Sequence, residues 1–254
     1  MAASTSHAPL WCFEAPTDEA GGDGRGKSKC LDCSIRRLAF CAALDDDQIV
    51  EIEQIARYKS FDPGQCFAME GDQGKFAYNV ISGMVKLYKS LPDGRTQITG
   101  FLLPGDFLGL PSRDEYAYSA EAVVPTSLCR FPRAQLDALF VKFPDLEKRF
   151  LDIVKDELTA AQDHMLLLGR KSASERIACF LLGFSQRAHR LGWPIDPLLL
   201  PMHRIDIADY LGLTVETVSR TLSSLKKQGV VDIPRSEQIV LANRHRLEEL
   251  CLGA

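Results

Sequence analysis

The groups in this chain best placed to do chemistry are a set of sulfur atoms and one helix face. Cys30, Cys33 and Cys41 stand at C-x2-C-x7-C spacing in the stretch Lys29 to Cys41. Thiolates this close in sequence let a short loop wrap a soft metal centre. Lys29, Arg36 and Arg37 lie beside them. These cations are expected to favour thiolate over thiol and to offset the charge of a bound centre. Three cysteines leave one ligand missing, and the spacing alone also fits a zinc knot or a thiol switch. Of the other cysteines, Cys66 falls in an expected strand and Cys179 in an expected helix. Both read as small buried apolar residues. Cys12 and Cys251 lie near the termini. With no export signal the chain is expected in the cytoplasm, where a disulfide framework is not expected.

The second group lies in Ile207 to Gln228, IADYLGLTVETVSRTLSSLKKQ. Ala208 is small where two helices must approach. Gly212 supplies the positive φ of a turn, and Val218 is the apolar residue that closes the pair. That spacing predicts a helix-turn-helix. Thr214 is the expected N-cap of the second helix. Val215, Glu216, Ser219 and Arg220 share one face at its start, because 215 and 219, like 216 and 220, are i,i+4 pairs. Arg220 has the chemistry to pair with guanine and Glu216 to accept from cytosine. Ser219 is adaptable, and Val215 suits a thymine methyl. A solvated face with an internal Glu216–Arg220 pair accounts for the charges but not for the turn spacing.

These residues need elements to hold them. Asp45 and Gln48 form a capping-box pair, and Ile49, Ile52 and Ala56 keep helical spacing after it. From Tyr58 to Phe131 turns such as Asp62-Pro-Gly64 and Pro92-Asp-Gly94 separate short β-prone runs: Tyr78–Ile81, Val85–Tyr88 and Gln97–Phe101. That rhythm predicts a small antiparallel barrel or roll. From Pro144 the period becomes helical. Leu151, Val154, Leu158, Ala161, Met165 and Leu168 follow 3, 4, 3, 4, 3 spacing, the seam of a dimerisation helix with small Ala161 at its centre. A second helix is expected over Ala173–Arg190. After the helix-turn-helix, Val230–Ile233 and Gln238–Leu241 flank a turn, as in a wing.

Composition agrees with this plan. The chain has 254 residues, 46% hydrophobic and 25% charged, enough for two modest domains. No apolar run approaches the roughly 18 residues of a membrane span. Net charge is −4, but from Arg170 onward 12 Lys and Arg face 9 Asp and Glu. The basic excess thus lies with the expected DNA-reading segment. Gly21–Ser28 matches the phosphate-binding loop pattern, yet it lies between no strand and no helix and reads as part of a disordered tail, Met1 to Ser28. No Gly-x-Ser-x-Gly or His-Glu-x-x-His set is present, so an enzyme is not expected and no catalytic residue is named.

The segment LGLTVETVSR, with Glu216, Ser219 and Arg220 as E-x-x-S-R, resembles the recognition segment of the FNR/FixK branch of the CRP/FNR transcription regulators. The resemblance runs from about Lys29 to Ala254. It implies an α+β chain with an N-terminal β-roll of the cyclic-nucleotide-binding kind, a long dimerisation helix and a C-terminal winged helix-turn-helix. The implied division is 1–44 for tail and cysteine loop, 45–145 for the roll, 146–170 for the dimerisation helix and 171–254 for the DNA-binding domain. It further implies a [4Fe-4S] cluster on Cys30, Cys33 and Cys41, with Cys129 as fourth ligand; the x7 gap is similar to that of FnrN/FnrL-like members. Oxygen would convert the cluster and loosen the dimer on a TTGAT–ATCAA-type palindrome in double-stranded DNA. RNA polymerase is an implied partner through roll loops such as Ser90 to Arg95. Cyclic AMP is not expected, because the family's nucleotide pocket uses an arginine near Glu115–Ser119 and none follows Arg113 before Arg130. The same fold under control of thiol oxidation, zinc or abundance is the alternative.

Overall fold

The computed structural model describes residues 28–109, 111–112 and 114–253. The tail, with Cys12 and all of the Gly21–Ser28 match except Ser28, lies outside them. The described chain divides into two compact units, one formed by residues 28–87 with 101–155, the other by 88–100 with 156–253.

The first unit opens with the cysteine loop, which ends in a 3-10 turn at Phe40–Ala43. Helix α1 (Asp46–Ile55) follows, and the Asp45 side chain and Gln48 cap it reciprocally as the sequence predicts. Ten strands come next: β1 (Arg57–Phe61), β2 (Cys66–Ala68), β3 (Phe76–Ser82), β4 (Val85–Ser90), β5 (Thr96–Leu102), β6 (Phe107–Leu108), β7 (Pro111–Ser112), β8 (Glu115–Tyr116), β9 (Ser119–Ala122) and β10 (Thr126–Pro132). They form two four-stranded sheets, ordered β1-β10-β3-β6 and β2-β9-β4-β5, with a small β7-β8 pair. The three β-prone runs read from the sequence fall inside β3, β4 and β5. Gly83 turns β3 into β4 with φ of 86°, and a Cβ there would run into the Pro125 carbonyl and Thr126.

Alternation along the strands sends side chains to two different cores. Tyr78, Val80 and Leu128 face the roll interior with Val85, Leu102, Tyr116 and Ala120. Ala77, Ile81, Cys129 and Phe131 face the opposite way, into a second core shared with the cysteine loop, α1 and helix α2 (Arg133–Lys142). Helix α3 (Pro144–Arg170) runs on from there. Its side chains Phe150 and Ile153 pack on that same second core. Farther along, Leu151, Leu158 and Met165 are 49%, 58% and 68% exposed, an apolar stripe open to its surroundings in the single chain.

The second unit holds helices α4 (Ala173–Arg190), α5 (Arg204–Leu211), α6 (Val215–Lys227) and α7 (Arg244–Leu252), with strands β11 (Leu198–Leu199), β12 (Asp232–Arg235) and β13 (Gln238–Val240). Ser172 and Glu175 close a capping box on α4. The first wing strand sits two residues later than the sequence suggests, and the second starts where expected. Pro234 and Arg235 belong to β12, and β11 joins the sheet as a third strand in the order β11-β13-β12. Helix α7 is not foreseen by the apolar periodicity, since Leu247 is its one fully buried residue. Its packing against α4 corrects two expectations about cysteines. Cys179 is partly exposed rather than buried, and it is joined to Cys251 in a disulfide. Cys66 is exposed as well, because β2 turns that side chain away from the roll interior. No helix among the described residues is long and apolar enough to cross a membrane.

Candidate nucleic-acid interface and thiol centre

The reading face is built on a tight turn. Gly212 ends α5 in the left-handed conformation, φ 60° and ψ 42°. The Leu213 N–H then bonds back to the Ala208 carbonyl at 3.0 Å. The Thr214 side chain accepts from Thr217 N–H at 3.2 Å and so caps α6. Ala208, Val218, Leu222 and Leu225 are buried, which fixes the rotation of α6. Val215, Glu216, Ser219 and Arg220 are left exposed on its outer side. The Glu216 carboxyl is held below the usual range, first by its own backbone N–H and then by Thr214, with Arg220 adding a smaller effect. A carboxylate that stays ionised at a helix N-terminus is an acceptor aimed outward. Beside it, Ser219, Arg220, Ser223, Ser224 and Lys227 line a shallow groove.

Residues not singled out by sequence hold this turn. Arg176 on α4 donates to four carbonyls: Lys171 at 2.8 Å, Leu168 at 2.7 Å, Leu211 at 2.8 Å and Gly212 at 3.3 Å. Those are the unpaired ends of α3 and α5, which a guanidinium fork satisfies together. His164 Nε2 lies 2.9 Å from the Tyr210 carbonyl, and its ring stacks on Tyr210 at 4.2 Å. Thr96 donates to the Asp209 carboxylate at 2.8 Å, and Gln97 donates to the Asp209 and Tyr210 carbonyls. Most of these contacts join residues 35 or more positions apart, so no local sequence pattern marks them.

The thiol centre is a different kind of place. Cys129 pairs across the sheet with Tyr58 on β1 and Asn79 on β3. Cys30 and Cys129 are each 8% exposed, and Cys33 and Cys41 pack against the same core. All four sequence-predicted sulfurs therefore meet in one apolar region. The loop is anchored at its start by Glu53, which accepts from the Lys29 N–H at 2.7 Å and from the Ser28 hydroxyl. Gly105 lets it approach the sheet, since a Cβ there would come within 2.7 Å of Leu38 Cβ.

Burial sets the protonation of these thiols. It pushes Cys30 up to about 11 and Cys41 up to about 12, with Cys33 raised and Cys129 raised well above the usual thiol value. For Cys129 the next causes are Cys30, Cys41 and Cys33, the mutual repulsion of sulfurs that would share charge. Arg36 does favour thiolate at Cys30, Cys33 and Cys41 as expected, but burial is the larger effect and the net shift is upward. Arg36 is engaged with Asp46 at 2.8 Å and with the Leu44 carbonyl at 3.0 Å. Lys29 sits over the Tyr58 ring, 5.3 Å from its centroid. Desolvation outweighs what remains of their field.

Four cysteines in one apolar core match the donor set of an iron–sulfur cluster. The Asn79 side-chain oxygen, buried and without a hydrogen-bond partner, lies on the strand next to Cys129. The Tyr58 hydroxyl lies 3.7 Å from Cys30 Sγ. Among the described residues no three His, Cys, Asp or Glu side chains are gathered to hold a metal ion.

The core continues into α3 through stacked rings. Phe40 of the loop meets Phe107 at 5.0 Å, and Phe107 meets Phe150 of α3 at 5.4 Å, both edge to face.

Comparisons with known proteins find related domains in both parts of the chain. Residues 58–143 match the cyclic nucleotide-binding domain family, and residues 175–250 match the Crp-like helix-turn-helix domain family. The nitrogen fixation regulation protein FixK of Bradyrhizobium diazoefficiens is 45% identical over 80% of this chain and 86% of its own. The transcriptional activator protein FnrL of Cereibacter sphaeroides is 40% identical over 87% of this chain and 91% of its own. The solved structure of FixK2 from Bradyrhizobium japonicum superposes with a TM-score of 0.73 at 41% identity, covering 77% of this chain and 97% of that one.

Proposed function

The chain belongs to the Crp/FNR family of DNA-binding transcription regulators, and from that premise we propose an oxygen-responsive dimeric activator that holds a [4Fe-4S] cluster on Cys30, Cys33, Cys41 and Cys129. The observation that carries this reading is the meeting of these four cysteines, three from the loop and one from β10, in one core. When bound, the cluster supplies an oxygen-sensitive inorganic centre whose reduction and assembly state responds to its surroundings.

The chain's own residues do the rest. Cys30, Cys33 and Cys41 tie the loop, and Cys129 ties β10, so shared ligation pins loop to sheet. Phe40, Phe107 and Phe150 link that loop to the start of α3 through ring contacts. The loop's position thereby biases how α3 lies, and α3 carries the apolar stripe Leu151, Val154, Leu158, Ala161, Met165 and Leu168. Pairing of two such stripes buries surface that the single chain leaves open, with Ala161 permitting close approach. A pair presents two α6 helices, and Val215, Glu216, Ser219 and Arg220 of each read one half of a TTGAT–ATCAA-type palindrome in the major groove. Each half-site alone binds weakly, so loss of pairing releases the DNA. The exposed Ser90–Arg95 turn offers a contact to RNA polymerase. On this division residues 1–44 carry the sensor loop, 45–145 the roll, 146–170 the pairing helix and 171–254 the DNA reader, in the cytoplasm.

The test is oxygen-free purification with iron and sulfide analysis, followed by operator binding before and after air. A coloured protein with about four irons per chain, bleaching in air as affinity falls, is the expected result. Iron-free protein that binds its operator as tightly as any preparation would end the sensing account.

A further inference from the structure

Two cysteines outside the four-thiol core are joined to each other. Cys179 lies within α4 and Cys251 in the last turn of α7, 72 positions apart in sequence, with Cα atoms 4.9 Å apart. That separation lies inside the window a disulfide needs, so bridged and open forms fit the same backbone. Both residues are partly exposed, whereas Cys30 and Cys129 are buried. Small oxidants and small thiols therefore reach this pair from water.

The bridge adds a covalent tie between two helices, α4 and α7, that already pack against each other. The helix has nine residues and one fully buried side chain, Leu247. Helices this short are marginal alone. Polar contacts add to that packing. Lys171 Nζ donates to the Cys251 carbonyl at 2.5 Å, and Arg244 lies 3.5 Å from the Ser185 hydroxyl. The segment between the two cysteines contains α5, α6 and all three wing strands. A bond between Cys179 and Cys251 closes a ring around the whole DNA-reading segment.

We propose that Cys179 and Cys251 form a reversible dithiol–disulfide site in the DNA-binding unit, oxidised by small-molecule disulfides or peroxides and reduced by small-molecule thiols. In the oxidising direction one cysteine thiolate attacks a disulfide RSSR, forms a mixed disulfide and expels RS⁻. The second cysteine thiolate then attacks the protein sulfur of that mixed disulfide, forms the Cys179–Cys251 bond and expels the second RS⁻. The two protein protons end on the two RSH molecules, and two electrons pass from protein to RSSR. With hydrogen peroxide the first cysteine becomes a sulfenic acid and one water leaves. Attack by the second cysteine releases the other water. Bridged, α7 is fastened to α4; open, it is held by non-covalent contacts alone. This site stands whether or not the four-thiol core binds a cluster.

The full-length chain tests it. Protein reduced with dithiothreitol is desalted, equilibrated across glutathione buffers of rising disulfide fraction, quenched, alkylated and mapped by mass spectrometry. One cross-linked peptide pair joining Cys179 to Cys251 is expected to grow with glutathione disulfide and to vanish with dithiothreitol. It should be absent from Cys179→Ser and from Cys251→Ser. Hydrogen exchange of α7 amides should be about tenfold faster in the reduced chain than in the bridged one. Both serine variants should exchange at the fast rate in every buffer. Should a variant misfold, reduced and oxidised wild-type protein give the same comparison. Thiols that stay open to alkylation in every buffer would overturn the proposal. So would a bridge that dithiothreitol cannot open, or α7 exchange that is equal in the two states.

Discussion

Arg220 and Glu216 sit four residues apart on the exposed side of α6, and their chemistry is written in their residue types. Arg220→Ala should cost about 1–3 kcal/mol on the preferred site and relax the preference for guanine there. Titrations on specific and random duplexes check this; an equal loss on both would make Arg220 a phosphate contact. Cys129→Ala should leave the roll folded, since a small residue replaces a small one, yet abolish iron retention. Iron analysis of anaerobic protein decides it, and normal iron content would hand the fourth position to another residue. That these four cysteines, which share one core, belong together was legible from spacing and resemblance. Their protonation was not. Proximity in sequence placed Arg36 beside the thiols, whereas folding commits it to Asp46 and the Leu44 carbonyl. Burial then decides, and it raises every one of the four.

Elements with local signals were legible, and those held by distant contacts were not. Asp45 with Gln48 caps α1, and Thr214 caps α6, each through a hydrogen bond spanning three residues. Helix α7 carries the same local cap, Asn243 accepting from the Arg246 N–H, but has a thin apolar face; strand β11 gave no local signal, because its partner lies far along the chain. Arg176 is the clearest case. Its four bonds fasten the ends of α3 and α5, so Arg176→Ala should destabilise the DNA-binding unit by about 1–3 kcal/mol. Arg176→Lys should recover only part, since an ammonium cannot fork between those carbonyls. Thermal melting of both variants tests this, and unchanged melting of the alanine form would reduce the network to decoration. His164 adds a pH term. Burial lowers its pKa, outweighing the Tyr210 carbonyl that raises it. The unfolded chain therefore binds a proton more readily than the folded one. Stability is present above the unfolded pKa of about 6.5 and falls as pH drops through it. Melting curves from pH 8 to pH 5 should show a shallower decline in His164→Asn than in the parent; parallel curves would remove His164 from the account.

At the scale of the whole molecule, the stripe on α3 is the feature a single chain leaves unsatisfied. Met165 is 68% exposed, and its neighbours along the stripe repeat at heptad spacing. Met165→Glu should yield a monomer under anaerobic conditions, because pairing would bury a charge in an apolar seam. Sedimentation of anaerobically prepared protein reads this directly, and a persistent dimer would place the interface on another face.

The sequence by itself determined the parts that local rules govern: the helix-turn-helix, the outward set Val215, Glu216, Ser219 and Arg220, the roll's strand rhythm and the α3 stripe. Periodicity, capping and turn residues act over a few positions, so one sequence carries them whole. Only the tertiary structure decided which distant groups share a space. It brought Cys129 to the loop through the alternation of β10, set Cys251 against Cys179, and turned Arg176 to the ends of two helices. Such encounters depend on strand register and on how elements pack, which no short stretch of residues encodes.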